Sequence, residues 1–212
     1  KPQSRTQPGK SASEKIDLYQ QHKADYVASK QPVLLHIAPA RYLTIRGQGK
    51  PGGELFQAHI GALYAVAYTI KMTRKFAGHQ DYGICKLEGQ WFFDGAPEKT
   101  PLEQFRWRLL IRTPEFIQPA DLKQAVAALR KKGKAPEASQ VKLETIREGR
   151  CVQMLHVGPY DQECGTLSMM KAFVESQGLQ LACPRHEIYL SDPRRVPPER
   201  LKTILRLPVA RA

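Results

Sequence analysis

The chain has 212 residues, 42% hydrophobic and 25% charged, enough to bury a sizeable core as one large domain or two fused halves. No stretch approaches the roughly 18–20 uninterrupted apolar residues of a membrane span, and the polar start KPQSRTQPGKSASEK lacks the apolar core of a secretory signal. A formal charge of +13 attracts polyanions in general, but its clusters (Arg130, Lys131, Lys132 and Lys134; Arg194, Arg195 and Arg200) sit in no nucleic-acid motif, so neither a specific nucleic acid nor a membrane is expected as partner.

Residues 1–13 read as a disordered leader, and a cytoplasmic address is the default expectation. Residues 14–28 suit a short polar helix carrying Ile16, Tyr19 and Tyr26. In VLLHIAPARYLTIRGQG, Leu43 and Ile45 alternate with Tyr42, Thr44 and Arg46, the period of a strand with one covered face. A helix follows from about Glu54 to Lys71. Leu55, His59, Ala62, Val66 and Ile70 share one side, and Phe56, Ile60, Tyr64 and Tyr68 form a second stripe at four-residue spacing.

DYGICKLEGQWFF and QFRWRLLIRTP read as strands, and Pro119 to Lys132 as a helix closed by Gly133. After the polar stretch KGKAPEASQ, VKLETIREGRCVQMLHVG reads as a β-hairpin turning near Glu148–Gly149. Asp161 suits the N-cap of a helix ending at Gly178. ACPRHEIYLSDP and KTILRLPV close the chain as strands.

The order of elements therefore repeats, with a first half near 14–133 and a second near 141–210. The expected fold is α+β: tandem strand–helix–strand–strand modules with pseudo-two-fold symmetry, antiparallel sheets with helices on one face, and a ligand cleft between the halves.

In RHEIYLSD, alternation sends Ile188 and Leu190 one way and Glu187 and Tyr189 the other. If the apolar pair faces the helices, Glu187 projects from the opposite face. A carboxylate on a central strand is expensive to bury without a partner. Two readings are open: an ion pair with Arg185 or another arginine, or a cleft carboxylate serving as general base or cation receptor. Trp91 and Trp107 are core aromatics or the wall of such a cleft; Tyr64 and Tyr68 are core with the hydroxyl at the edge, or one of them lines the cleft, and Tyr189 projects beside Glu187. His156, in HVGPYDQE, ends a strand before a Gly-Pro turn and is a structural hydrogen-bonder or a site residue. Glu163 has a local explanation, since a carboxylate in a first helical turn complements the helix dipole. Cys85, Cys151, Cys164 and Cys183 have no metal-ligand spacing, so reduced, mostly buried thiols and no metal or cofactor are expected.

The segments ARYLTIRGQG, ALYAVAYTIKM, KLEGQWF, HVGPYDQE, HEIYLSDPRR and LKTILR together resemble the GyrI-like small-molecule-binding family, in its stand-alone bacterial branch, over about residues 14–210. The resemblance implies one GyrI-like domain with a cleft between its modules. Related domains receive cationic lipophilic drugs on a buried glutamate and aromatics. Members of the stand-alone branch resemble hydrolases that open the cyclopropane of DNA-alkylating compounds. On this resemblance Glu187 is the catalytic glutamate, Trp91 and Tyr68 match the family's ligand-contacting aromatics, and the ligand is a lipophilic, aromatic or cationic small molecule. Departures fall at Gly49-Lys50-Pro51-Gly52, at Trp91-Phe92 where a double tryptophan is common, and at Arg185-His186 where a double histidine is common. Hydrolysis by a glutamate-activated water and binding without turnover both fit these residues.

Overall fold

The computed structural model describes residues 14–95 and 99–211; the leader expected over residues 1–13 lies outside them. The chain enters through two single-turn helices, α1 (Leu18–Gln21) and α2 (Lys23–Tyr26), where one longer helix was expected. Among the described residues nine strands follow: β1 (Val33–Ile37), β2 (Ala40–Gln48), β3 (Glu88–Phe92), β4 (Arg106–Arg112), β5 (Lys142–Ile146), β6 (Gly149–Val157), β7 (Leu179–Leu181), β8 (Arg185–Tyr189) and β9 (Lys202–Arg211). Three longer helices are α3 (Glu54–Phe76), α4 (Pro119–Lys131) and α5 (Cys164–Ser176).

Local chemistry explains the helices. Glu54 in the first turn of α3 and Arg74 and Lys75 in its last complement the helix dipole, while Leu63, Val66 and Ile70 bury its inner face. Helix α4 starts on a reciprocal cap between Gln118 and Asp121 with Pro119 in its first turn. Glu163 occupies the N-cap position of α5 without a side-chain cap hydrogen bond, while Asp161, expected there, falls in a preceding single turn.

The sheet runs β1-β6-β9-β8-β3-β4-β2-β5, with β7 added along β9. Exchanging β1 with β5, β2 with β6, β3 with β8 and β4 with β9 reverses this order onto itself, the topological mark of a repeated unit. Strands β5 and β6 are not the expected hairpin: β5 pairs with β2, and β6 with β1 and β9. Only Ala38 and Pro39 separate β1 from β2, yet β1 begins the order and β2 stands seventh, beside its other end. The sheet therefore curls into a half-barrel.

Cross-strand register assigns the faces. Met154, Leu205, Glu187, Gly89, Leu109 and Ile45 form one continuous row. Helix α3 packs on β2 and β4 over this row's face, and α5 packs on β6, leaving the β3–β8 pair between them. Glu187 thus projects from the helix-bearing face, and Ile188 from the other, where it meets Tyr26 and Ile204. The opposite assignment expected from alternation is corrected: the gap between the helices, not the bare face of the sheet, receives Glu187. Two of the four thiols expected to be mostly buried, Cys164 and Cys183, are exposed.

The far face carries a buried charged network. His186 is enclosed between Glu148 (Nδ1 to Oε1, 2.6 Å) and Glu88 (Nε2 to Oε2, 2.9 Å). Arg206 donates to Glu148 at 2.7 Å and to Gln153 at 2.8 Å, and Tyr26 donates to Glu88 at 3.2 Å. Burial opposes a charge on His186, but Glu148 and then Glu88 overcome it and raise its pKa to about 9. With both ring nitrogens on carboxylates, the imidazolium donates from both.

Candidate functional site

Strand β8 sends Arg185, Glu187 and Tyr189 toward the gap between α3 and α5. The Tyr189 hydroxyl donates to Glu187 Oε2 at 2.8 Å. Arg185 Nε stands 2.9 Å from Glu187 Oε1, a contact of charges, because its N–H finds no acceptor in line. Trp91, on the neighbouring strand, donates from its indole nitrogen to the Tyr189 oxygen at 3.3 Å. Burial first, then the charge of Glu187, holds the Tyr189 phenol well above its usual range, so it keeps its proton.

A second carboxyl completes this cluster. Glu163, 3% exposed at the start of α5, lies 3.8 Å from Arg185 Nη1 and close enough to Glu187 to feel its charge. Its Oε1 has no partner among the described residues. Burial, then the adjacent Glu187 charge, pushes its pKa up to about 9, so Glu163 holds a proton at neutral pH. The helix-dipole explanation of Glu163 thus misses its main property, which comes from a strand remote in sequence.

Above the cluster lies a cleft of about 1070 Å³. Phe56, Ile60 and Tyr64 of α3 form one wall; Tyr160, Tyr189 and the segment after β8 form the other. Tyr160 meets Tyr189 edge-on at 5.7 Å. Trp91 lies behind the wall, stacked on Phe56 at 5.7 Å and 16°. Glu187, 4% exposed, also lies behind the wall, one hydrogen bond away through Tyr189.

Of the residues singled out from sequence, Tyr64 and Tyr189 line the cleft directly, and Glu187 and Trp91 support its floor. Tyr68 stands one turn beyond Tyr64, its ring 6.4 Å away and 52% exposed, outside the cleft. Trp107 is buried deeper, donating to His59 at 3.3 Å. His156 is held elsewhere by Thr166 at 2.9 Å and the Pro159 carbonyl at 3.0 Å. Phe56, Ile60, Tyr160 and Glu163 escaped sequence reasoning as site residues; the four-residue stripe containing Phe56, Ile60 and Tyr64 was its only hint. Among the described residues no group of three or more His, Cys, Asp or Glu could hold a metal ion, and no helix is long and apolar enough to cross a membrane.

The family model for the GyrI-like small molecule binding domain matches residues 30–210. The chain belongs to this family. The GyrI-like fold is shared with an uncharacterized conserved protein from Listeria innocua at 38% identity and TM-score 0.87, covering 92% of this chain and 100% of that one. Two structures described as hydrolases from Listeria innocua, each 37% identical, have TM-scores of 0.86 and 0.83 and cover 93% and 92% of this chain and 100% of their own. No curated protein matches the chain.

Proposed function

We propose that this GyrI-like protein binds a flat, lipophilic small molecule in the cleft between α3 and the segment after β8 and hydrolyses an electrophilic cyclopropane on it. The observation that carries this reading is the Tyr189–Glu187 hydrogen bond of 2.8 Å, which reaches from the cleft wall to a buried carboxylate. The two Listeria innocua relatives described as hydrolases support a hydrolytic reaction.

In the proposed reaction a water oxygen bonds to the cyclopropyl CH₂ and the strained C–C bond breaks. Its electron pair passes to a conjugated carbonyl oxygen on the ligand, which takes a proton from solvent at the open rim. The attacking water gives its proton to the Tyr189 oxygen as the phenol proton moves to Glu187, a general-base relay. Phe56 and Tyr64 hold the flat ligand over Tyr189, so orientation supplies much of the acceleration.

The test is incubation with a cyclopropane-bearing cyclohexadienone alkylator, following the ring-opened alcohol by mass. Glu187→Gln is expected to slow turnover by about 100- to 10,000-fold while ligand binding persists. Equal turnover by wild type and Glu187→Gln overturns the mechanism. Binding by both proteins with turnover by neither makes the cleft a sequestering site.

A further inference from the structure

The charges around the cleft run opposite to those of a receptor for cations. Behind the wall Glu187 is already matched by Arg185 at 2.9 Å, and protonated Glu163 adds no negative charge. A ligand cation reaching Glu187 would have to displace Arg185, leaving a half-buried guanidinium without its partner, which is costly.

The rim carries Lys86, Arg194 and Arg195 against Asp192 alone. Asp192 is occupied by Arg194, whose Nε and Nη2 donate to its two oxygens at 3.0 and 2.9 Å. The Lys86 ammonium donates to the Leu190 carbonyl, a neutral partner that leaves its charge uncompensated. The Arg195 side chain has no hydrogen bond or ion pair among the described residues. Two positive charges are thus left over at the mouth of an otherwise apolar cleft, whose low-dielectric walls concentrate their field.

We propose that the cleft selects flat aromatic ligands that carry an anionic group, a carboxylate or sulfonate, and disfavours cations. The rings lie against Phe56, Ile60 and Tyr64, and the acid points out toward Lys86 and Arg195. This rests on the reading of the cleft as the ligand site and sets the ligand class within it.

Three fluorescent probes with one scaffold test it: pyrenebutyrate, pyrenebutanol and pyrenebutyltrimethylammonium, titrated into the full chain at low and physiological salt. Pyrenebutyrate is expected to bind about tenfold more tightly than the ammonium probe at low salt, with the alcohol between and the spread narrowing as salt rises. Arg195→Gln, alone and with Lys86→Gln, is expected to erase the advantage of the acid over the alcohol while the alcohol binds as before. Gly61→Trp supplies the location control. Gly61 lines the cleft on α3, and a Cβ there meets nothing within 4 Å, so the substituted side chain starts in open space and adds bulk to the cleft. It should weaken all three probes.

Equal or tighter binding of the ammonium probe, with Gly61→Trp still weakening it, overturns the charge selection and leaves the ligand site standing. A preference for acid that survives the double substitution overturns the assignment to Lys86 and Arg195. Binding of no probe, or binding indifferent to Gly61→Trp, overturns the ligand site and the charge selection together.

Discussion

Gly89 faces Glu187 across the β3–β8 pair, and a Cβ at this position would stand 2.9 Å from the Tyr189 hydroxyl oxygen and 3.4 Å from Trp91 Nε1. The missing side chain is therefore part of the site: it leaves the space in which the phenol reaches the carboxylate. Gly89→Ala should push Tyr189 off Glu187. A displacement of about 1 Å can cost on the order of 100-fold in rate. The check is ring-opening kinetics beside a thermal melt; an unchanged rate with an unchanged fold would remove Tyr189 from the relay.

Tyr189→Phe removes the hydroxyl and leaves the ring against Tyr160. If the phenol carries protons to Glu187, turnover should fall by about 100-fold or more while affinity for an unreactive flat ligand changes little. Affinity and rate falling together would point instead to a role in binding alone.

On the opposite face, Arg206 is 1% exposed and bonded to Glu148 and Gln153. Arg206→Met leaves the buried Glu148 with His186 as its main partner. Breaking one side of a buried ion pair typically costs about 3–5 kcal/mol, which a urea titration reads directly.

Stability should peak on the acid side of neutrality, far below the sequence pI of about 9.7. Burial would raise Glu148, but His186 and Arg206 pull it down to about 2 from 4.5; its contribution is complete above 4.5 and disappears as pH falls toward 2. His186 is raised from 6.5 to about 9, so its contribution is complete below 6.5 and lost as pH rises through 9. Glu163, raised from 4.5 to about 9, adds a loss in the same direction above 4.5. Melting temperature against pH should therefore be highest near 4.5 and fall above it, more steeply beyond 6.5, and Glu163→Gln should flatten the fall between 4.5 and 6.5. A maximum at neutral or higher pH would contradict these assignments.

Gly47 makes a second close approach. A Cβ there would lie 2.6 Å from the Trp107 ring and 2.8 Å from His59, so Gly47→Ala should overpack the core by about 1–3 kcal/mol and shift the tryptophan emission.

Much of the architecture was legible because hydrophobic period is a local property. The α3 stripe, the alternation in β2 and the recurring element order all follow from neighbours within a few residues, and so did the pairing of Glu187 with Tyr189 on one side of β8. Local pattern misled where the partner decides the outcome. Glu148–Gly149 looks like a hairpin turn, but β5 and β6 exchange partners across the curled sheet. Alternation also told which residues share a face without telling which face the helices cover. Ile188 is buried by Tyr26 and Ile204 instead of by a long helix.

Glu187 shows the division most clearly. Its sequence neighbourhood determined that a carboxylate sits on a strand beside a phenol and an arginine. Only the tertiary structure decided that it lies between α3 and α5, tied to Tyr189 and Arg185 and sharing its surroundings with Glu163. Electrostatic state depends on distance and burial, and the groups that set it, Glu163 and Glu187, are brought together by packing of the start of α5 against the middle of β8, not by their order in the chain.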